Sequence, residues 1–269
     1  TSSVTNVNNF LADATSYAHP LCQDEFDGLP QYDPTNAACP CSVGYNEHAC
    51  TCGDIQCSAN QLCDASGCSD DIGCYQPNPL TDATLQGAVD QCLTIHPVGH
   101  PNMTIWDTSQ VTSMVNLFQY EQNFNTQLNW DTSNVISMSG MFWGATSFNQ
   151  DLNTWDTSQV MSLYTTFYEA SSFNKPLNNW DTSNVVNLRS TFNRASSFNQ
   201  PLNTWDTSQV TTLRTTFADA VSFNQPLNTW NTSKVTTLYG TFWGASSFNQ
   251  ALDWDTGKVT NLYATFWNA

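Results

Sequence analysis

The cysteines are the residues whose spacing first indicates a chemistry. All of them lie between positions 22 and 92, in a stretch that contains no Lys or Arg. An even number at short spacing is typical of a disulfide framework from an oxidising compartment, and the Cys-X-Cys pairs lack the gaps usual between zinc ligands. We therefore expect disulfides and leave their pairing open. The cysteines are Cys22, Cys39, Cys41, Cys50, Cys52, Cys57, Cys63, Cys68, Cys74 and Cys92.

Histidines and carboxylates are weaker candidates for chemistry. The four histidines are scattered in turn-like contexts beside Pro or Cys, which does not indicate a catalytic site. Acidic residues between positions 24 and 33 could bind calcium, but without EF-hand spacing they favour a solvated loop. A recurring Asp could ligate a metal, yet helix capping explains its spacing without one. We expect no catalytic residue, no metal site, no cofactor and no enzyme. The recurring carboxylates are Asp107, Asp131, Asp156, Asp181, Asp206 and Asp255.

Composition excludes some partners. Only 11% of the residues are charged, and the formal net charge is -17. Phosphate binding needs clustered Lys and Arg, so nucleic acid is not an expected partner. No apolar run approaches the roughly 18 residues that span a bilayer, so we expect no membrane span. No signal-peptide pattern opens the chain, which has the character of a mature or internal segment.

A repeat of 24 or 25 residues occupies positions 106–269. Counted from its Trp, the repeat carries Val at +5, Met or Leu at +8, Phe at +12 and, except in the first copy, Ala at +15. Phe at +18 and Leu at +22 follow. The fixed apolar set predicts one internal face shared by all copies. The marker residues are Trp106, Trp130, Trp155, Trp180, Trp205, Trp230 and Trp254.

The spacing within one copy predicts a helix followed by an extended leg. Offsets +5, +8, +12 and +15 lie on one face of a helix, and the Asp-Thr-Ser before them suits an N-cap, for example over residues 156–170. The next segment contains Pro and has no helical period, which predicts a short strand or extended leg. One such unit cannot offset the entropy of its own ordering, so the copies must stack.

Residues 198–210, Phe-Asn-Gln-Pro-Leu-Asn-Thr-Trp-Asp-Thr-Ser-Gln-Val, resemble the BspA-like surface-protein repeat. That family is a divergent leucine-rich-repeat type of bacterial and mycoplasma surface lipoproteins and of secreted proteins of unicellular eukaryotes. The resemblance implies an α/β fold, in the form of a right-handed leucine-rich-repeat-like solenoid of about seven coils plus an N-terminal partial coil. It also implies an adhesive or surface-structural role.

Two segments before the repeats carry further resemblances. Residues 81–92 predict an amphipathic helix and resemble the helix that caps the start of such arrays. The cysteines from position 50 to position 68 are similar in spacing to EGF-like or small cysteine-rich modules. The predicted domains are a partial repeat at 1–21, a disulfide-rich EGF-like module at 22–79, a capping helix and linker at 80–105, and the repeat solenoid at 106–269.

The first 21 residues match the frame of a repeat that lacks its Trp. The chain's last residue, Ala269, stands at +15, before the extended leg. Solenoids normally need polar end caps, so both ends predict stacking against another copy or continuation into a longer polypeptide. A head-to-tail contact that does not close forms an open filament. The matching residues are Val4, Val7, Leu11, Ala14, Tyr17 and Leu21, at +5, +8, +12, +15, +18 and +22.

Positions that vary inside the frame predict a binding surface. Aromatic residues and Arg, which are enriched at interaction hot spots, occur at +9 and +13. An equal alternative is that they complete the packing between copies. Asn102 and Asn231 begin acceptor motifs for N-linked glycosylation. The candidate surface residues are Trp143, Tyr164, Tyr168, Arg189, Arg214, Tyr239, Trp243, Tyr263 and Trp267.

These observations predict a secreted structural protein, extracellular or on the cell surface, that self-assembles into a filament, appendage or coat. Its partner is then a further copy, bound head to tail. The alternative is a cell-surface adhesin or carbohydrate-binding module, with glycans as the partner. A third interpretation is ice binding through the Thr residues at +11, which are Thr166, Thr191, Thr216, Thr241 and Thr265.

Overall fold

The structure of the chain is a computed structural model. It describes residues 39–40, 50–52, 55–57, 62–64, 67–69, 74, 79–99 and 101–269. The chain divides into two compact units, residues 1–77 and 78–269. The partial repeat predicted at 1–21 and the acidic loop at 24–33 lie outside the described residues.

The cysteine-rich unit contains short antiparallel strands. These are β1 (Cys39–Pro40), β2 (Cys50–Cys52), β3 (Ile55–Cys57), β4 (Leu62–Asp64) and β5 (Gly67–Ser69). One sheet has the order β1-β4-β5, and a second sheet pairs β2 with β3. Cys74 and Cys92 are each engaged in a disulfide bond. For the other cysteines the structure describes at most the backbone, so their disulfides and the EGF-like character of this unit stay predictions, and the pairing stays open.

The second unit opens with a helix, α1 (Leu85–Ile95), followed by a 3-10 helix at Pro101–Ile105. Helix α1 begins four residues later than the 81–92 pattern predicts, because residues 82–84 form a turn. Its apolar face is buried as expected, through Leu85, Ala88, Val89, Cys92 and Leu93. Within the described ranges, no helix is long and apolar enough to cross a membrane.

Residues 106–269 form what we call the repeat stack. Neighbouring copies meet through single parallel β-bridges at +7, which run from Ser113 to Ser137 and on to Asn261. The helix predicted over residues 156–170, and its equivalents in the other copies, is wrong: the described residues 106–269 contain turns and bridges but no helix. The predicted strand in the leg is absent there too.

The hydrogen bonding of the backbone explains why turns replace the helix. The N–H groups at +8, +10, +12 and +14 donate to carbonyls of the next copy, as in Phe118 N to Met141 O at 2.8 Å. The peptides between them close tight turns inside the copy, as in Met141 N to Met138 O at 3.1 Å. A helix would use every N–H internally and leave none for the neighbouring copy. Alternating peptides therefore hold the copy together and join it to the next.

This alternation requires left-handed backbone at +10 and +14. Gly140 and Gly144, with φ of 66° and 71°, occupy these positions in the second copy. Thr165, a β-branched residue, holds a φ of 53° at the equivalent of Gly140. Such a residue is sterically disfavoured in this region. The bonds between copies thus impose the conformation even where the side chain opposes it.

Aromatic columns form the core of the stack. In the first six copies the Phe at +12 lies against the Phe at +18 of its own copy, with centroids 4.1 Å apart for Phe192 and Phe198. Phe192 also stacks on its equivalents in both neighbouring copies, at 5.6 Å from Phe167 and Phe217. The Trp column lies beside them, and the buried indole of Trp205 donates to Leu177 O at 3.0 Å. The predicted burial of the Trp, Val, Leu and Phe frame is confirmed in the inner copies.

Polar ladders continue the stack toward the surface. The Oδ1 of Asn174 at +19 accepts from Asn199 N at 2.9 Å and from the Gln200 amide at 3.0 Å. The Asp-Thr-Ser segment caps a turn instead of a helix: Asp181 Oδ1 accepts from the N–H two residues later at 2.9 Å, and the Thr182 hydroxyl donates to Asp206 O at 3.0 Å. The sequence thus predicts capping correctly but assigns it to the wrong element.

The first copy is capped by the segment that precedes it. Asp82 accepts from Thr112 N at 2.7 Å and from Ser113 N at 3.0 Å. In the later copies the N–H at this +6 position donates to a carbonyl of the preceding copy. The Gln86 amide donates to Leu117 O at 3.3 Å, a carbonyl at +11 that an inner copy would satisfy by its neighbour. Side chains of this segment thus supply the hydrogen bonds that the backbone of a preceding copy provides inside the stack.

Replacing Asp82 by alanine is expected to lower the free energy of unfolding at pH 7 by about 1 kcal/mol, a value discounted for solvent exposure. Hydrogen bonding from the Thr112 hydroxyl, and then from the two N–H groups, outweighs desolvation and lowers the pKa of Asp82. A lowered pKa contributes stability above the unfolded-state value, about 3.9, which is lost as the pH falls through the folded-state value.

The difference between wild type and Asp82→Ala should therefore shrink at pH 3, in urea titrations at both pH values. The comparison between variants isolates Asp82 from Glu121, whose pKa is raised by burial and then by the charge of Asp90. Asp253→Ala, which removes an exposed carboxylate from the last leg, is the control and should change little. An Asp82 effect that is equal at both pH values would contradict a role for the carboxylate charge.

Candidate interaction surfaces

The last copy, residues 254–269, exposes an apolar surface that we call the end face. Leu262 and Phe266 are 55% and 54% exposed, whereas the same positions in the copy before, Leu238 and Phe242, are 3% and 0% exposed. Trp267 adds a further side chain at 55% exposure. The same residue types that form the core inside the stack therefore face outward here, and such a patch is typical of an interaction surface.

The end face also carries unused backbone donors. The N–H groups of Leu262, Ala264, Phe266 and Asn268 stand at +8, +10, +12 and +14 and have no acceptor within the described part of the chain. In each of the six earlier copies, at least three of the N–H groups at these positions donate to the next copy. They point along the stack in one row, as in an open edge strand. The end face thus presents the same backbone donors and apolar side chains that the earlier copies use toward the next copy.

A second surface runs along the side of the stack at +9. The guanidinium of Arg189 lies 5.5 Å from the ring of Tyr164, and that of Arg214 lies 4.4 Å from Tyr239. Tyr239 in turn stacks on Tyr263 at 5.4 Å. These cation–π and stacking contacts hold the predicted residues in two neighbouring groups. Part of the surface of these residues is therefore buried in contacts between copies, as expected from the alternative that they complete the packing.

The candidates at +13 form separate groups. Trp143 contacts Tyr168 edge to face at 5.2 Å, and Trp243 packs on Trp267 at 6.3 Å. The described copies between them carry Asn193 and Ala218 at this position, so the structure does not join the two pairs into one aromatic patch.

A charged cluster at +14 was not predicted from the sequence. Arg194 forms an ion pair with Glu169 at 2.7 Å, lies 3.5 Å from Asp219, and has its guanidinium 6.0 Å from the Tyr168 ring. Hydrogen bonding to Glu169 foremost raises the pKa of Arg194. The alternation of acid, base and acid at a spacing of 25 residues was the signal that could have identified it.

Among the described residues, those first considered for chemistry are not brought together into a site. No cluster of His, Cys, Asp or Glu that could hold a metal occurs among the described residues. The recurring Asp side chains are exposed, and each accepts a hydrogen bond from the residue two positions later. For Asp107 and Asp131, the hydrogen bond from the Ser hydroxyl is the main cause that lowers the pKa of the carboxylate. His96 is partly buried, while His19, His48 and His100 lie outside the described residues.

Ice binding through the +11 threonines is excluded by their position. Thr166, Thr191, Thr216 and Thr241 are fully buried, and Thr265 is nearly so. Their hydroxyls donate to carbonyls of the preceding copy, as in Thr216 Oγ1 to Leu188 O at 2.9 Å. The hydroxyls therefore hold the stack together and are not available to a lattice of water.

The two predicted glycosylation positions differ in setting. Asn231 is exposed, and its Oδ1 accepts from Ser233 N at 3.0 Å in a tight turn. Asn102 is partly buried in the 3-10 helix. Attachment of glycan at either position stays a prediction, with Asn231 the more accessible side chain.

The chain is a repeat protein, in which stacked copies of one short unit share a core and leave an apolar end face. The family model described as "Mycoplasma protein of unknown function, DUF285" matches residues 85–187 and 175–269. The chain belongs to this family, which in general terms is a BspA-like surface-protein repeat family. The predicted resemblance of the repeats is confirmed at that level. No curated protein and no solved structure matches the chain.

Proposed function

We propose that this protein is an extracellular structural subunit that self-assembles through its end face. The main observation in support of this proposal is that Leu262 and Phe266 are exposed, although the equivalent residues of the copy before are buried. Covering both side chains would stabilise an assembly through apolar burial, and the four free N–H groups of the end face would gain acceptors. The role is non-catalytic.

The proposed architecture is the right-handed solenoid of leucine-rich type. The parallel bridges and the regular hydrogen bonds between copies support it, since each copy contacts its neighbours in sequence. A secreted location and a disulfide-rich, EGF-like module are proposed with it. The bonded state of Cys74 and Cys92 supports an oxidising compartment.

Self-assembly is tested with the purified, disulfide-intact chain. We expect the molar mass in light scattering to rise with concentration and electron microscopy to show fibres. Phe266→Glu should abolish both, because a carboxylate would be buried without a partner. Ile136→Glu is the matched control, since Ile136 is 47% exposed within the stack and not in its last copy. A chain that stays monomeric at high concentration would contradict the proposal.

A second candidate function is glycan binding by a surface adhesin. It is favoured by the exposure of aromatic rings, with Trp243 at 39% and Tyr263 at 59%. Flat aromatic faces offer sugars an apolar platform, and an exposed group of them is typical of binding surfaces. Glycan arrays separate the two functions: hits that disappear in Tyr263→Ala, from a chain that does not assemble, would favour the adhesin.

A further inference from the structure

A line of side chains at +13 and +14 crosses five successive copies of the stack, and we call it the side row. It consists of Tyr120, Trp143, Tyr168, Arg194 and Asp219, one from each copy. The ring of Trp143 lies 5.4 Å from that of Tyr120 and 5.2 Å from that of Tyr168. The guanidinium of Arg194 lies 6.0 Å from the Tyr168 ring and 3.5 Å from Asp219. Each contact joins neighbouring copies, so the side row is continuous.

The backbone of the side row is not the one that stability favours. The +14 position is left-handed, and Gly144 and Gly244 adopt this conformation without steric strain. Tyr120 and Arg194 hold it with φ of 65° and 59°, where a bulky side chain is disfavoured. Strained residues at positions where glycine would suffice are typical of functional sites.

The indole of Trp143 also differs from the indoles of the core. Nε1 of Trp205 donates to Leu177 O at 3.0 Å. Nε1 of Trp143 is shielded from solvent and has no acceptor among the described residues. A buried donor without a partner lowers stability, so folding alone does not explain this Trp. Because its N–H is covered, the accessible part of the ring is apolar carbon surface.

Charged groups continue the side row where the rings end. Arg194 pairs with Glu169 at 2.7 Å and lies beside Asp219. The side chains of Arg194, Glu169 and Asp219 are 54%, 35% and 50% exposed. They offer hydrogen-bond donors and acceptors that the ion pairs hold in place next to an apolar surface. Two acids and one base leave this part of the surface negative, which disfavours an anionic ligand.

We propose that the side row binds a neutral, linear oligosaccharide that lies along the stack. The C–H faces of sugar rings pack on aromatic rings, and sugar hydroxyls donate to carboxylates and accept from a guanidinium. Neighbouring rings of the row are tilted by 54° and 64°, so they do not form one flat plane. A soluble chain, whose sugar rings turn about their linkages, fits this surface better than a flat crystalline polysaccharide.

A proline-rich peptide is the competing ligand, because such peptides also pack on rows of aromatic rings. Proline has no N–H, so it cannot donate to the carboxylates of Glu169 and Asp219. The charged part of the side row therefore favours the oligosaccharide.

This inference rests on the glycan-binding candidate for its ligand class and does not depend on the end face. It assigns a different site, because the rings that favour that candidate, Trp243 and Tyr263, lie in copies beyond Asp219. The two sites can be separated by matched substitutions.

The first test is titration calorimetry of the purified, disulfide-intact chain with cellohexaose, laminarihexaose and chitohexaose, which are soluble, neutral and linear. We expect at least one of them to bind. A heparin hexasaccharide and a polyproline peptide are the comparators, and sedimentation with crystalline cellulose tests the flat surface. Tighter binding of either comparator, or binding to crystalline cellulose alone, would overturn the proposal.

The second test locates the site by substitution. Trp143→Ala should raise the Kd of the bound hexasaccharide at least about tenfold, because it removes the central ring. Trp143→Phe, which keeps a ring without the N–H, should stay within about threefold. The matched control is Trp243→Ala, the same substitution at +13 of a later copy, which should stay within about twofold. Circular dichroism checks that each variant is folded.

Glu169→Gln keeps the test decisive if Trp143→Ala does not fold. It removes a charged acceptor at nearly constant shape and should raise the Kd at least about threefold. If Trp243→Ala or Tyr263→Ala removes binding and Trp143→Ala does not, glycan binding stands and the side row is not its site. Binding that Glu169→Gln and Trp143→Phe leave unchanged, in the absence of a folded Trp143→Ala, also overturns the proposal. If the wild-type chain binds none of the three saccharides, this inference and the glycan-binding candidate both fail.

Discussion

Replacing Phe192 by alanine is expected to lower the free energy of unfolding by about 4 kcal/mol. Phe192 is fully buried and contacts Phe198 at 4.1 Å within its own copy. It also stacks on Phe167 and Phe217 at 5.6 Å. The truncation therefore leaves a cavity lined by these three rings and by Trp205, whose ring lies 5.9 Å from that of Phe192. Stacked rings packed on both sides have little freedom to collapse into it.

The loss should also change the cooperativity of unfolding. Each copy of the repeat contacts only its neighbours, so a weak copy in the middle uncouples the two halves of the stack. We expect urea titrations of Phe192→Ala to show a lower m-value or a second transition, because the halves then unfold separately. Tryptophan fluorescence and far-ultraviolet circular dichroism, recorded on the same samples, should cease to coincide.

The matched control is Phe266→Ala, the same substitution at the same position of the last copy. Phe266 is 54% exposed and stacks on only one equivalent ring, Phe242 at 5.4 Å. We expect it to cost less than about half as much as Phe192→Ala in the unassembled chain. Equal costs at the two positions would mean that the rings do not form one continuous core, and the account of the stack would be wrong.

The sequence predicted which side chains face inward because that information lies in the spacing of residue types. The frame of Trp, Val, Leu and Phe is buried in the inner copies, as the repeat requires. The hydrogen bonding of the backbone has no such signature. Offsets +5, +8, +12 and +15 fit one face of a helix, but a chain of tight turns places the same residues on the same side.

A local signal against the helix was present and was outweighed by the period. Gly140 and Gly144 stand in the middle of the segment to which the helix was assigned, and Gly240 and Gly244 repeat the pattern. Gly in a helix interior costs about 1 kcal/mol relative to Ala, whereas it is favoured where φ is positive. Two glycines spaced by four residues, in two copies, therefore indicated left-handed positions.

The candidate surface was predicted in part. Aromatic residues and Arg at +9 and +13 are partly exposed, but contacts between copies, such as Arg214 on Tyr239, use some of their surface. The end face could not be located by residue type, since the residues equivalent to Leu262 and Phe266 are buried in every other copy. What distinguishes them is the lack of a described neighbour, a property of the stack and not of the residues.

Thr191→Val is expected to lower the free energy of unfolding by about 1–2 kcal/mol, although valine matches threonine in shape. The Thr191 hydroxyl is fully buried and lies 2.9 Å from Leu163 O and 2.8 Å from Leu188 O. Both carbonyls keep a backbone donor, from Thr166 N and Thr191 N, which limits the cost. Urea titration at neutral pH measures the change.

Thr211→Val provides the control, because it makes the same substitution on the exposed side of the coil. The Thr211 hydroxyl donates to Val186 O at 3.1 Å, but water can replace this bond, so we expect a change below about 0.5 kcal/mol. A Thr191→Val variant as stable as wild type would mean that the buried hydroxyls are not needed between copies. Their recurrence at +11 would then have to be explained by packing alone.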